Sequence, residues 1–118
     1  MGRKLHCAIV EKSLRTRFVG QTLLHRLQVE STMDESLELA RNGAESGLVL
    51  VADEQTEGKG TRGRSWISPP QDNLYFTIIV RPSATEVLRL SMVTPVAIAN
   101  AVEQIFGLYP RIKWPNDL

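Results

Sequence analysis

The chain has little that would tie it to an oxidising compartment, a membrane or a metal. One cysteine, Cys7, is present among 118 residues, so no disulfide can form within the chain; this usage fits a reducing compartment. No apolar run reaches the roughly 18 residues that a membrane-spanning helix needs. The start, MGRKLHCAIVEKSLRTRF, has charges breaking up its short apolar stretch, so it fails as a secretory signal. These features predict a cytoplasmic protein with no membrane partner. Charge of one sign is also lacking: 14 basic against 13 acidic residues leave a net charge of +1, which argues against a general nucleic-acid binder. The two histidines, His6 and His25, have no second His, Cys or carboxylate at metal-ligand spacing, and no metal site is expected from them. Ser31 and Ser68 have no base nearby in sequence, so nucleophilic catalysis gains little support. What remains is an ordinary soluble profile, 42% hydrophobic and 23% charged, sized for one small domain or part of a larger one.

Against that plain background one stretch stands out, residues 54–70, EQTEGKGTRGRSWISPP. Gly58, Gly60 and Gly63 alternate with Lys59, Arg62 and Arg64, and no acid falls among them. Glycines admit positive φ and close backbone approach. Three cations on one short loop repel one another unless an anion sits between them. The pattern therefore suits a loop that closes over phosphates or a carboxylate, and equally a solvated loop whose charges never meet. The glycines satisfy G-x-G-x-x-G literally, but Pro69-Pro70 prevents the helix that a dinucleotide fingerprint must open, and no Gly-Lys-Ser/Thr completes a P-loop. Trp66 reads as a core residue or as a platform for a flat ring. Lys113, between Ile112 and Trp114, reads as a contact for an anionic ligand or as a lysine guarding a sheet edge.

The elements around this stretch predict an α+β fold, a mixed sheet flanked by helices. Residues 1–20 give no firm assignment. Residues 21–29 suit a short strand. Thr32 and Glu35 form a capping box, with Met33, Leu37 and Ala40 as one apolar helix stripe and Gly43 as its stop. Residues 48–52, LVLVA, read as a strand buried on both faces, and residues 73–80, NLYFTIIV, as a second strand. Residues 86–106 are helical, with Pro95 either kinking one helix or starting another and Gly107 ending it. Residues 111–114 read as a last strand broken by Pro115.

Glu30-Ser31-Thr32, residues 52–55 (ADEQ), residues 58–66 (GKGTRGRSW), Ser68-Pro69, residues 73–76 (NLYF) and residues 113–117 (KWPND) occur in this order. That succession resembles the biotin protein ligases, from about residue 23 to residue 118. The resemblance implies a catalytic domain related to class II aminoacyl-tRNA synthetases and lipoate ligases, of which residues 1–118 would be the N-terminal portion. It implies that biotin and ATP are joined to give biotinyl-5′-adenylate, with magnesium accompanying the triphosphate, and that biotin then passes to a lysine of a biotin carboxyl carrier protein such as that of acetyl-CoA carboxylase. Lipoate ligation, or a non-catalytic remnant that binds biotin or nucleotide, are the alternatives; a homodimer is allowed. Carried over by position, Ser31, Thr32, Met33, Gln55, Gly58, Lys59, Gly60, Thr61, Arg62 and Lys113 would meet biotin. Lys59, Arg62, Arg64, Trp66 and Lys113 would meet ATP or the adenylate, with Lys113 and Arg62 catalytic. Three positions depart from the family pattern: Met33 stands where asparagine is common, Lys59 replaces an arginine, and the uncharged Thr61 replaces the central arginine. The loss of that cation predicts a leakier adenylate. The family's further strands and second ATP-contacting lysine after KWPND are missing from these 118 residues, which predicts weak ligation by this chain alone.

Overall fold

The computed structural model describes residues 5–118, which form two compact units, one up to Val80 and one from Arg81. In the first unit, α1 (Cys7–Ser13) is followed by β1 (Leu23–Arg26), α2 (Thr32–Arg41), β2 (Val49–Ala52), β3 (Gln55–Lys59), a single 3₁₀ turn (Thr61–Gly63), β4 (Ser65–Ser68) and β5 (Tyr75–Ile78). The second unit contains α3 (Ala84–Phe106) and the turn that follows it.

The main sheet is mixed, as the element order predicts. Strand β2 lies in the centre, parallel to β1 and antiparallel to β5. Its four residues are all buried, which is why VLVA carries no polar alternation. Register places Leu24 beside Leu50 and Leu50 opposite Thr77, so these side chains share one face. That face meets α2, and Leu48, Leu50 and Ile79 form the core with Leu24, Leu39, Ala40 and Ala44 packed around them. On the opposite face Leu23, Val49, Val51, Phe76 and Ile78 join Val10 and Leu14 of the α1 region around an apolar groove of about 280 Å³. Leu50 is the one large side chain with no exposure among the described residues. Leu50→Ala is expected to destabilise the unit by about 2–5 kcal/mol, since both the transfer term and the cavity term apply in full; chemical denaturation of the two proteins checks this.

Helix α2 corrects the expected cap by one residue. Ser31 is the N-cap, and its Oγ accepts from Asp34 N–H at 3.4 Å. Thr32 is already helical, and its hydroxyl is used elsewhere. The buried stripe moves with it: Thr32 and Ser36 are buried and Leu39 and Ala40 face the core, whereas Met33 and Leu37 are half exposed. Gly43 ends the helix as expected, in the left-handed region at φ 92°. Gly43 N–H reaches Ala40 O and Ala44 N–H reaches Leu39 O, a Schellman closure.

Two other expectations change. The glycine-basic loop expected over residues 58–64 narrows to a tip at residues 60–64, because the segments on either side pair as the antiparallel hairpin of β3 and β4. Residues 111–114 form no strand; Pro115 cannot continue one, and Lys113 instead exchanges backbone hydrogen bonds with Asp117 (2.8 and 3.1 Å) across a turn with a cis Trp114–Pro115 bond. Helix α3 runs unbroken through Pro95, where Thr94 Oγ1 donates to Leu90 O at 2.6 Å, and ends at Gly107 with φ 66°. At its start the Ser83 N–H donates to Glu86 Oε2 at 2.7 Å, which holds the Glu86 carboxyl below the usual carboxylate range.

Candidate active site

The site is built where the N-terminus of α2 meets the β3–β4 hairpin. Its base is a partly buried chain of hydroxyls and one amide. Thr77 Oγ1, on the core-facing side of β5, donates to Thr32 Oγ1 at 3.0 Å. The Thr32 hydroxyl (3.0 Å) and its backbone N–H (2.8 Å) both donate to Gln55 Oε1. Gln55 Nε2 then donates to Ser68 Oγ at 3.2 Å, and Ser68 to the carbonyl of Trp66 at 3.4 Å. A backbone N–H can only donate, so Thr32 fixes which end of the Gln55 amide is oxygen. Both lone pairs of that oxygen are used. Gln55 therefore has only an N–H left to offer a ligand, and Thr77 offers free lone pairs.

Glycine is required where the hairpin passes this chain. A Cβ at Gly58 would lie 2.7 Å from Ser68 Oγ, 2.8 Å from Trp66 O and 3.2 Å from Gln55 Nε2. At Gly60 it would press on the Trp66 indole, 2.9 Å from Nε1. Arg62 takes the left-handed conformation (φ 58°), next to Gly63 at φ 73°, and Gly60 N–H closes the tip on Arg64 O at 2.7 Å. The hairpin and α2 enclose an open cleft of about 530 Å³, lined by residues including Met33, Gly58, Lys59, Gly60, Arg64 and Trp66. Trp66 is 62% exposed, which removes the core reading and leaves a ring free to stack.

The expected cluster of mutually repelling cations is resolved by an acid the sequence reading did not pair with it. Lys59 Nζ forms an ion pair with Asp34 Oδ2 of α2 at 2.5 Å, and this hydrogen bond raises the Lys59 pKa above the usual lysine value. Neither Arg62 nor Arg64 has an ion-pair partner among the described residues. Thr61 and Arg62 belong to the hairpin tip rather than to the lining of this cleft. Ser31 lies buried at the helix cap, and Lys113 lies exposed in the second unit. His25 Nε2 is 2.8 Å from Asp53 Oδ1, a role the sequence reading did not supply. Sequence reasoning also missed Asp34, Ser68 and Thr77 as parts of the site. The β5 alternation, which sets Thr77 beside Tyr75 and Ile79, was the available signal for one of them.

The fold is that of the biotin protein ligases: the chain superposes on the Aquifex aeolicus enzyme solved in complex with biotin and ATP with a TM-score of 0.69 and 33% identity, covering 81% of this chain and 40% of that one. The Leishmania major biotin protein ligase in complex with biotinyl-5-AMP gives a TM-score of 0.61 and 34% identity over 71% of this chain and 35% of its own. The chain belongs to the biotin/lipoate A/B protein ligase family, whose model matches residues 24–118. Among sequences, the bifunctional ligase/repressor BirA of Bacillus subtilis is 33% identical over 98% of this chain and 36% of its own length. The biotin–[acetyl-CoA-carboxylase] ligase of Mycobacterium tuberculosis is 30% identical over 98% of this chain and 48% of its own. The chain thus spans between about a third and a half of these relatives.

Proposed function

We propose that this chain carries the biotin- and adenylate-binding half of an ATP-dependent biotin protein ligase. The observation that carries the reading is the cleft itself: cations and a free indole on one hairpin, above a polar chain whose amide is locked by Thr32 and Ser68. In the first step a biotin carboxylate oxygen attacks the α-phosphorus of ATP, pyrophosphate leaves, and biotinyl-5′-adenylate forms. In the second a lysine amine of the carrier protein attacks the acyl carbon and AMP leaves. The first step brings two anions together, so fixed cations and oriented N–H groups supply the stabilisation, and neither step needs a protein nucleophile.

In this reading Ser31, Thr32 and Gln55 hold the biotin head group, with Met33, Gly58, Lys59, Gly60, Thr61 and Arg62 around it. Lys59, Arg62 and Arg64 offset phosphate charge, Trp66 stacks near the adenine, and Lys113 binds the carboxylate and α-phosphate. The described residues contain no group of three His, Cys, Asp or Glu side chains that could hold a metal ion. In this reading magnesium accompanies the triphosphate and keeps several of its waters. A carboxylase carrier protein is the proposed acceptor, as the name of the mycobacterial relative suggests.

The test is biotin-dependent exchange of labelled pyrophosphate into ATP, followed by transfer of labelled biotin to a carrier domain. Exchange without transfer would leave only the first half-reaction. Neither reaction would reduce the chain to a binding remnant, and preference for lipoate in competition would move it to the other branch of the family. Thr61 gives a second check. Restoring a cation with Thr61→Arg is expected to slow dissociation of biotinyl-5′-adenylate several-fold, because one more charge–phosphate contact contributes at the exposed tip; unchanged off-rates would remove Thr61 from the retention mechanism.

A further inference from the structure

Asp34 has no part in the ligase reading above, yet it makes the closest polar contact at the cleft. Its carboxylate sits on Lys59, one of only two cations in the lining, the other being Arg64. Glu57 also lines the cleft, so with Asp34 counted the acids and bases balance. Apart from Arg62 at the hairpin tip, these charges give polyphosphate no net attraction. The pair joins two separate elements, the first turn of α2 and the end of β3, across the mouth of the cleft.

We propose that Asp34 is a competing counter-ion: an anion entering the cleft has to take Lys59 from it, and Asp34 thereby sets how strongly the site retains polyphosphate. The inference rests on the cleft accepting phosphate groups, as proposed above. Both side chains of the pair are close to half exposed, 48% for Lys59 and 44% for Asp34. Ion pairs this accessible to water are weak, so a phosphate can break this one. A phosphate placed on Lys59 would also lie within a few ångströms of the Asp34 charge. Repulsion at that distance in a water-like dielectric is comparable to the thermal energy for each unit charge, and it grows with the charge of the ligand. Asp34 thus weakens binding in proportion to ligand charge. The effect would favour departure of pyrophosphate, the most highly charged product, over retention of the singly charged adenylate.

The hydrogen bond that Lys59 donates to Asp34 keeps the lysine protonated beyond the usual lysine range. The contribution of this pair is therefore fully present at neutral pH and is lost only as pH rises through that elevated value. Neutral-pH assays report the competition itself rather than deprotonation of the lysine.

The experiment measures binding of inorganic pyrophosphate to the full chain by titration calorimetry, at low and moderate salt. The proteins compared are the wild type, Asp34→Asn, Lys59→Gln and the double variant. Asp34→Asn preserves shape and removes the charge, and its exposed position leaves folding intact, which thermal unfolding verifies. The expected result is a roughly 3- to 10-fold tighter affinity in Asp34→Asn, shrinking as salt screens the charge, and absent in the Lys59→Gln background. Wild-type binding with no gain in Asp34→Asn, or with an equal gain when Lys59 is already gone, overturns the counter-ion while leaving the ligase reading in place. A wild-type protein that does not bind pyrophosphate at all overturns both.

Discussion

Lys113→Gln is expected to lower biotin-dependent pyrophosphate exchange by about 10²–10³-fold, the usual cost of removing one group aimed at charge that develops in the transition state. Glutamine is one atom shorter, keeps N–H donors at its end and removes the fixed charge. The turn around Lys113 depends on its backbone N–H and C=O, which bond Asp117, and its side chain is exposed. The thermal midpoint should therefore stay within about a degree, since surface substitutions away from such features change stability little. Arginine is not expected to rescue, because a planar fork does not replace a compact ammonium at a carboxylate–phosphate junction. Steady-state exchange rates for the three proteins, with melting curves alongside, decide the matter. Activity within about threefold of wild type would take Lys113 out of the chemistry.

The second large effect is expected at Gly58, through geometry rather than charge. In Gly58→Ala the new methyl carbon would meet Ser68 Oγ at 2.7 Å and the Trp66 carbonyl oxygen at 2.8 Å. The carbonyl belongs to the backbone of β4, so relief requires the hairpin to open or Ser68 to swing away. Either movement releases the Gln55 amide, which loses the partner of its Nε2 and with it the orientation that Thr32 and Ser68 jointly impose. Displacements of about an ångström in a positioning group cost on the order of 10²-fold in activity. Overpacking of this kind costs about 1–3 kcal/mol of stability. Biotin affinity should fall with exchange activity, whereas Lys113→Gln should spare more of the head-group binding. Normal biotin affinity in Gly58→Ala would show that the amide–hydroxyl chain does not form the biotin site.

Some of this architecture is legible residue by residue. Residues 48–52 announce a strand covered on both faces because nothing polar interrupts them, and β2 is buried at every position. Gly43 and Gly107 mark helix ends because each adopts a left-handed backbone that other residues enter at a cost. The α2 cap shows where such reading fails. Ser31 and Thr32 are both competent caps, and what separates them lies far away in sequence. Gln55 and Thr77 claim the Thr32 hydroxyl, which leaves Ser31 to close the helix. The strands flanking the glycine-basic loop are hidden for a similar reason: glycine and arginine do not signal strands, and β3 forms because β4 returns to pair with it. Residues 111–114 read as a strand ended by Pro115, but among the described residues they pair with no strand, and Lys113 bonds Asp117 across a turn instead.

From the order of its residues alone, this protein declares its family, its mixed-sheet class, the glycine-hinged cationic segment and the lysine before Trp114. The family is read from a resemblance in motifs and their order, the rest from local patterns along the chain, and none of them needs a partner to be read. Only the folded chain decides that Asp34 neutralises Lys59, that Ser68 and Thr32 hold the Gln55 amide in one orientation, and that Trp66 faces solvent. Each of those depends on groups brought together from distant positions, where hydrogen-bond valence and charge balance, not local preference, choose the partner.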